Sequence, residues 1–137
     1  MTLARFTIAY WCVLFAAILP IVCAGIAKSG MFTTAPAKGG YDNNNPRGWL
    51  ARQSDWRSRA NAAQANTFEA LPFFFAAVII AHLLQAEQTR LDILALIFIT
   101  LRIAYVIMYV ADLAKARSVI WTLGLSVNVA ILFSGYR

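Results

Sequence analysis

The chain has 137 residues, of which 61% are hydrophobic and 13% are charged, and its mean hydropathy is +0.64. Soluble domains carry about 25% charged and about 45–50% apolar residues, so the composition excludes an ordinary water-soluble fold. Its high hydrophobicity excludes intrinsic disorder as well. A chain of this length has room for four membrane spans of about 20 residues each. The composition therefore predicts a single integral membrane domain.

The charge balance is basic, with 12 Lys and Arg residues against 6 Asp and Glu residues and a net charge of +6. In a soluble domain this excess would indicate nucleic acid as a partner. Here the basic residues stand mostly beside apolar runs, where they act as topology signals. We therefore expect membrane lipids, and no nucleic acid, as partners.

Four apolar segments predict four transmembrane helices. In chain order they cover about residues 6–27, 57–84, 91–111 and 118–134. A long polar loop at 28–55 joins the first two, and its Gly39-Gly40 pair, asparagine run and Pro46 are turn-forming residues. The other two links are short, which favours antiparallel neighbours. The pattern predicts an all-α, up-down-up-down four-helix bundle that forms one domain over 1–137.

The positive-inside rule predicts how this bundle is oriented. The first and third links lie on one side of a four-span bundle, and that side carries most of the basic residues. These are Lys28, Lys38, Arg47, Arg52, Arg57, Arg59, Lys115 and Arg117. The other side carries Arg5, Arg90 and Arg137. We expect the first and third links in the cytoplasm and both termini outside.

Two charged residues, Glu69 and Arg102, fall inside predicted spans, where a charge costs about 2.5–3.5 kcal/mol. Glu69 lies about 15 Å along the helix from Arg59, and Arg102 lies about 15 Å from Asp112, by helical rise. Because the two charges are opposite and at equal depth on antiparallel neighbours, we predict that they form an ion pair. The alternative is that this ion pair is purely architectural: it fixes the register of the two helices and takes no part in any chemistry.

Further polar residues share the faces of these two charges at helical spacings. They are Arg59, Asn66 and Glu69 on the second span, Arg102, Tyr105, Tyr109 and Asp112 on the third, and Arg117 and Ser118 where the fourth begins. We interpret them as a polar wedge that opens on the cytoplasmic side and is closed by Glu69 and Arg102.

The chemistry of the wedge suits a polar ligand with carboxylates, since arginine, amide and tyrosine side chains bind such groups. Arg117 or Ser118, near a helix N-terminus, would stabilise a thiolate. Taken alone, Tyr109 fits a membrane-interface belt and Asn66 fits a helix–helix hydrogen bond. The sequence offers no metal site, because His82 is its single histidine.

The run RANAAQANTFEALPF at 59–73 resembles the membrane-associated proteins in eicosanoid and glutathione metabolism (MAPEG). The matching residues are Asn66, Glu69 and Pro72, which follow an arginine-rich segment. A second match comprises Arg102, Tyr105, Tyr109, Arg117 and Ser118. The loop GGYDNNNPR is similar to bacterial members. The resemblance implies a homotrimer in a bacterial inner membrane that binds glutathione between subunits near the cytoplasmic face.

The resemblance also implies a role for each matched residue. Asn66 and Glu69 would hold the peptide and Arg102 would shape the floor of the site. Arg59, Tyr105 and Tyr109 complete the implied glutathione contacts, and Arg117 or Ser118 would stabilise the sulfur. The implied activity is that of a glutathione-dependent transferase or peroxidase acting on lipophilic electrophiles or lipid hydroperoxides.

Two departures from the family pattern favour an alternative function. Ala62 and Ala65 stand where well-studied members carry arginine, and each charged hydrogen bond lost costs about 1.5–3 kcal/mol. The alternative is a non-catalytic membrane protein that keeps the fold as an accessory subunit of a larger membrane complex or as a lipid-binding scaffold. A small transporter ranks below both, because the four spans contain no inverted repeat.

Overall fold

The structure, a computed structural model, describes residues 6–136 and folds them into four long helices and a short one. α1 spans Ile8–Lys28, α2 Pro46–Ala51, α3 Asp55–Leu83, α4 Gln88–Val110 and α5 Ala114–Leu132. α3 and α4 form a central pair, and both contact α1 on one side and α5 on the other. The predicted all-α four-helix bundle is confirmed.

Hydrogen bonds between helix ends hold the antiparallel arrangement at the end where α1 and α4 stop and α3 and α5 begin. We call this the basic end. Arg57 Nη1 donates to the carbonyl oxygens of Ala27, at 2.9 Å, and Ser29, at 2.6 Å. Arg59 Nε donates to the carbonyl oxygen of Val110 at 3.0 Å. These arginines satisfy carbonyl groups that the ends of α1 and α4 leave unpaired.

The opposite end of the bundle is joined by polar contacts of α1 with α3 and α4. The backbone N–H of Ala9 donates to Asp92 Oδ1 at 2.9 Å. Thr7 Oγ1 lies 3.0 Å from His82 Nε2, and the ring of Tyr10 stacks on the His82 ring at a centroid distance of 4.0 Å. Of the basic residues predicted on this side, Arg90 lies in the first turn of α4, whereas Arg5 and Arg137 lie outside the described residues.

Three of the described helices, α1, α3 and α4, are long and apolar enough to cross a membrane. α5 is the fourth helix of the bundle, and it carries Lys115, Arg117 and Asn128 among its apolar residues. Large apolar side chains such as Phe15 and Ile21 are exposed on the outer surface. An apolar outer surface of this kind is what a helical bundle presents to lipid.

The core between the helices consists of small residues and a few aromatic rings. Ala60, Ala63 and Ala77 of α3 are fully buried, which lets neighbouring backbones approach closely. Phe74 of α3 stacks on Phe98 of α4 with ring centroids 4.2 Å apart. The central pair of helices is therefore held by close packing along much of its length.

The polar stretch between the first two long helices contains α2, which sequence analysis missed. Asn45 Oδ1 accepts a hydrogen bond of 3.0 Å from the Gly48 N–H, and Pro46 is the first helical residue. Trp49 is buried, and its Nε1 donates to the Gly39 carbonyl oxygen at 3.2 Å. The asparagine run does form a turn, in which the Asn45 N–H donates to the Asp42 carbonyl oxygen at 3.3 Å. Asn45 and Pro46 then begin α2, because asparagine at the N-cap and proline at the next position also favour helix starts.

Candidate functional site

Arg102 lies in the middle of α4, where its guanidinium contacts α3. Arg102 Nη2 donates to Thr67 Oγ1 at 3.0 Å and to Asn66 Oδ1 at 3.2 Å. The Thr67 hydroxyl donates in turn to the carbonyl oxygen of Ala63 at 2.7 Å, so that its oxygen is left to accept from Arg102. The Arg102 Cζ also lies 4.2 Å from the centroid of the Tyr105 ring. Neutral oxygens and one ring face therefore surround this buried cation.

The predicted ion pair between Glu69 and Arg102 is wrong. Across residues 6–136, no carboxylate oxygen lies within the 4.0 Å of Arg102 that defines a salt bridge. The reason is helical geometry: Arg102 meets the buried face of α3 that carries Thr67, and Glu69 lies about 160° around the helix from Thr67. Glu69 is exposed, although it lines the same pocket as Arg102.

A pocket of about 170 Å³ lies between α3, α4 and α5. Its walls include Asn66, Glu69, Phe73, Arg102, Trp121 and Asn128, and we call it the deep pocket. Arg102 and Asn128 are only 4% and 3% exposed. Arg102 Nε and Asn128 Oδ1 are buried, and neither makes a hydrogen bond to any residue in the described range 6–136.

A second pocket, of about 270 Å³, lies between α4 and α5 nearer the basic end. It is lined by Tyr105, Tyr109, Arg117, Ser118, Trp121 and Thr122, and we call it the outer pocket. The Arg117 Cζ lies 4.1 Å from the centroid of the Tyr109 ring. The Tyr109 ring in turn meets the Tyr105 ring edge-on at 5.7 Å. With Arg102 over the Tyr105 ring, these contacts join the two pockets through four side chains in succession, namely Arg102, Tyr105, Tyr109 and Arg117.

Comparison with known proteins identifies the family. A model of the MAPEG family matches residues 8–136. This chain belongs to the MAPEG family. MAPEG proteins are helical membrane bundles that generally use glutathione. Together with the three apolar helices, family membership makes this chain an integral membrane protein. No curated protein and no solved structure matches the chain.

The residues singled out from the sequence of this MAPEG protein do not share one wedge. Asn66, Glu69 and Arg102 line the deep pocket, whereas Tyr105, Tyr109, Arg117 and Ser118 line the outer pocket. Trp121 lines both pockets and is the residue they share. Arg59 lines neither of them and caps α4 at the basic end instead.

The two candidates for stabilising a sulfur differ in what they offer. The Ser118 hydroxyl donates to the carbonyl oxygen of Ala114 at 3.1 Å, so its proton is used within α5. The Arg117 side chain is half-buried on the face of Tyr109. Of the two, Arg117 is the residue that brings positive charge into the outer pocket.

Two residues of this region were not predicted from the sequence: Asn128, which lines the deep pocket, and Thr67, which accepts a hydrogen bond from Arg102. The signal for Asn128 was a lone amide in the apolar part of α5, where an unpaired polar group is costly. The signal for Thr67 was its position on the same face of α3 as Ala60 and Ala63. In the same described range, no three His, Cys, Asp or Glu residues are grouped so as to hold a metal ion.

Proposed function

We propose that this MAPEG protein is a glutathione-dependent transferase or peroxidase that acts on lipophilic electrophiles or lipid hydroperoxides. The observation that carries the proposal is Arg117, whose guanidinium lies over Tyr109 in the outer pocket, beside Ser118. A positive charge next to a thiol favours the thiolate, which is the nucleophilic form. A ring face holds the planar guanidinium in a defined orientation.

The remaining site residues match the charges of glutathione, which has two carboxylates and one ammonium group. Glu69 is exposed and would take the ammonium group, and Asn66 would bind a peptide group. Arg59 keeps two guanidinium nitrogens beyond the Nε that caps α4, and these would meet a carboxylate at the basic end. Arg102 adds positive potential at the floor, since it is buried and holds only neutral partners.

The chemistry follows from the thiolate. In the transferase reaction the sulfur attacks an electrophilic carbon, a C–S bond forms, and the leaving group departs with its electron pair. In the peroxidase reaction the sulfur attacks a hydroperoxide oxygen and the O–O bond breaks. A second glutathione completes that reaction, so that two thiols become one disulfide while the hydroperoxide becomes an alcohol and water. Arg117 would stabilise the thiolate in both reactions.

We further propose a homotrimer in a bacterial inner membrane, with the basic end in the cytoplasm and the glutathione site next to a neighbouring subunit. The positive-inside rule supports the orientation, because the basic end collects the eight Lys and Arg residues named above. Mass spectrometry of the protein in mild detergent tests the assembly: a trimer mass is expected, and a monomer would contradict it. Labelling of a cysteine introduced at Lys38 in sealed vesicles tests the orientation.

A titration of the full-length protein with glutathione in detergent tests the activity. We expect ultraviolet thiolate absorbance that saturates with millimolar glutathione, and its loss in Arg117→Leu. Arg90→Leu is the matched control, because it removes an arginine from the opposite end of the bundle. If the native protein gives no thiolate signal at millimolar glutathione, the proposal is wrong.

The second candidate is a non-catalytic accessory subunit or lipid-binding scaffold. It is favoured by Ala65, which is exposed next to Asn66 and offers no charge to a ligand. Extraction in mild detergent followed by mass spectrometry separates the two candidates. Recovery within a larger complex, together with no thiolate signal, would favour the accessory subunit.

A further inference from the structure

The polar stretch between α1 and α3 folds over the end of α1 around two aromatic rings, Tyr41 and Trp49. The Tyr41 N–H donates to the Met31 carbonyl oxygen at 3.0 Å, and the Tyr41 ring meets the Trp49 ring edge-on at 5.4 Å. Gly40 is buried, and a side chain there would overlap the carbonyl group of Thr34. These contacts give the stretch one packed conformation and therefore a defined outer surface.

That surface carries an exposed aromatic side chain beside two lysines. Phe32 is 64% exposed, and its ring meets the Tyr41 ring edge-on at 5.5 Å. Lys28 Nζ lies 4.6 Å from the centroid of the same Tyr41 ring. Lys38 is exposed in the turn that leads to Gly39. Phe32, Lys28 and Lys38 belong to one folded unit, and we call them the loop patch.

The basic end has more positive charge than its own carboxylates can neutralise. It carries eight Lys and Arg residues and three aspartates, Asp42, Asp55 and Asp112. Asp42 Oδ1 accepts a hydrogen bond of 2.9 Å from the Asn44 N–H, and Asp55 Oδ1 accepts one of 3.0 Å from the Arg57 N–H. Two of the three carboxylates therefore serve the backbone, and positive charge is left for an anionic partner.

The loop patch lies where the apolar surface of α1 ends. Ile18, Ile21 and Val22 are exposed on this helix, which is long and apolar enough to cross a membrane. Lys28 is its last residue, and Phe32 follows four residues later. Lysine side chains at such a position lie along apolar surface and place their charge among lipid headgroups. The loop patch is therefore at the level of the headgroups.

We infer that the loop patch binds anionic phospholipids of the surrounding bilayer, with the Phe32 ring inserted between headgroups and the Lys28 and Lys38 ammonium groups beside lipid phosphates. An anionic phospholipid carries a net negative charge that attracts basic residues next to a membrane span. The inference does not depend on glutathione chemistry, because these three residues line neither the deep pocket nor the outer pocket.

The exposed ring favours a lipid over a soluble anion. Removal of apolar surface from water is favourable, and a soluble phosphate would leave the Phe32 ring in water. The boundary of a bilayer takes up the ring and brings phosphates to the lysines at the same time. The lysines alone would fit a topology signal, which needs charge but no aromatic side chain.

Two lipids with identical acyl chains test the inference on the full-length protein in detergent, with glutathione left out. Phosphatidylglycerol is anionic and phosphatidylcholine is zwitterionic, and each carries a pyrene-labelled acyl chain that accepts energy from tryptophan. We expect phosphatidylglycerol to bind about 25-fold more tightly, because each lysine contributes about fivefold, which corresponds to about 1 kcal/mol. The preference should decrease as salt is added, since salt screens exposed charges.

Charge variants assign the preference to the loop patch. We expect Lys28→Gln and Lys38→Gln each to weaken phosphatidylglycerol binding about fivefold and to leave phosphatidylcholine binding unchanged. Lys28→Arg keeps the charge and should keep the affinity. Lys115→Gln is the matched control, because it removes one charge from the same end of the bundle but from the start of α5. Its affinity for phosphatidylglycerol should stay close to the native value.

Variants of Phe32 test the insertion of the ring. We expect Phe32→Ser to weaken the binding of both lipids, and Phe32→Leu, which stays apolar, to retain most of it. Thr33→Ala is the control, because Thr33 is the exposed neighbour of Phe32. Circular dichroism melting curves establish that each variant is folded.

Equal binding of the two lipids to the native protein would overturn the inference. An equal loss in Lys115→Gln and in the two loop-patch variants would also overturn it, because the basic residues would then act only as a diffuse topology signal. Competition separates the possible anions: glycerol phosphate or a single-stranded oligonucleotide that displaces phosphatidylglycerol at equal phosphate concentration would show that the ligand is soluble, against the inference.

Discussion

Arg102 of α4 donates a hydrogen bond of 3.0 Å to Thr67 Oγ1 of α3, at the centre of the bundle. The Thr67 hydroxyl donates a hydrogen bond to the Ala63 carbonyl oxygen at 2.7 Å, so that helix backbone, hydroxyl and guanidinium form one chain of hydrogen bonds. This chain of hydrogen bonds holds the buried cation between α3 and α4. α3 therefore positions the arginine through a neutral side chain.

Thr67→Val tests how much this hydrogen bond contributes to stability. Valine has nearly the same shape but leaves Arg102 Nη2 with Asn66 as its remaining acceptor. We expect the free energy of unfolding in detergent to fall by about 1–2 kcal/mol. This lies between the contribution of a hydrogen bond to a charged group and that of a hydrogen bond between membrane helices. Thr100→Val is the control, since the Thr100 hydroxyl is exposed and bonds only within α4, to Leu96. Equal losses in the two variants would contradict the prediction.

The sequence predicted that Arg102 meets a polar group on α3 but named the wrong residue. Glu69 and Arg102 were paired because few charges lie within the spans and because these two lie at equal depth. That argument used only the distance along each helix axis. Rotation around α3 decides the partner, and the buried face follows the alanines. That face consists of Ala60, Ala63, Thr67, Leu71 and Phe74, at steps of three and four residues. A search for the polar member of that alanine face would have found Thr67.

The four-helix bundle was predictable because long apolar runs and short links leave few alternatives in a membrane. The short helix α2 and the division of the site into two pockets were not. α2 depends on burial of Trp49 against the Gly39 carbonyl oxygen, which is a contact with a distant part of the loop. The two pockets depend on where Trp121 packs, and spacing within one helix does not report on packing between helices.

Asp92 stabilises the first turn of α1 from a neighbouring helix. Its Oδ1 accepts from the fully buried Ala9 N–H at 2.9 Å. We expect Asp92→Leu to lower the free energy of unfolding by about 1–2 kcal/mol, as loss of a helix cap does. Asp92→Asn keeps the acceptor and should lose less. Gln88→Leu is the control, because Gln88 donates to the same oxygen at 2.7 Å without involving α1. A loss in Gln88→Leu as large as in Asp92→Leu would contradict this role.

Glu87 makes the start of α4 sensitive to pH. Its carboxylate accepts from the backbone N–H groups of Arg90, at 2.7 Å, and Thr89, at 2.9 Å. These hydrogen bonds, the Arg90 one first, lower the pKa of Glu87 below its ordinary value of 4.5. A carboxylate with a lowered pKa in the folded state stabilises the fold fully above the unfolded pKa, and this contribution is lost as pH falls through the folded pKa.

Glu87→Gln measures this contribution, because glutamine does not titrate. We expect the native protein to have a higher melting temperature than the variant at neutral pH, and the difference to shrink as pH falls below 4.5. Melting curves of both proteins over this range, at equal ionic strength, provide the measurement. A difference that is independent of pH would show that the Glu87 carboxylate does not cap α4.

The contact between Arg117 and Tyr109 gives the sharpest prediction about the proposed chemistry. The Arg117 Cζ lies 4.1 Å from the Tyr109 ring centroid, and a cation over an aromatic face is stabilised by about 0.5–1 kcal/mol. Tyr109→Phe keeps the ring face, so the fraction of bound glutathione present as thiolate should stay nearly unchanged. Tyr109→Leu removes the face, and kcat/KM for glutathione should fall by about two- to fivefold.

Those two variants also separate this role from that of a membrane-interface residue. If Tyr109 acted only as an interface anchor, its hydroxyl would matter, and Tyr109→Phe would lower the melting temperature without a change in thiolate absorbance. If it orients Arg117, the Leu variant loses thiolate, and a double variant with Arg117→Leu loses no more than Arg117→Leu alone. Additive losses in the double variant would mean that Tyr109 acts independently of Arg117, because residues that act through one contact are not additive.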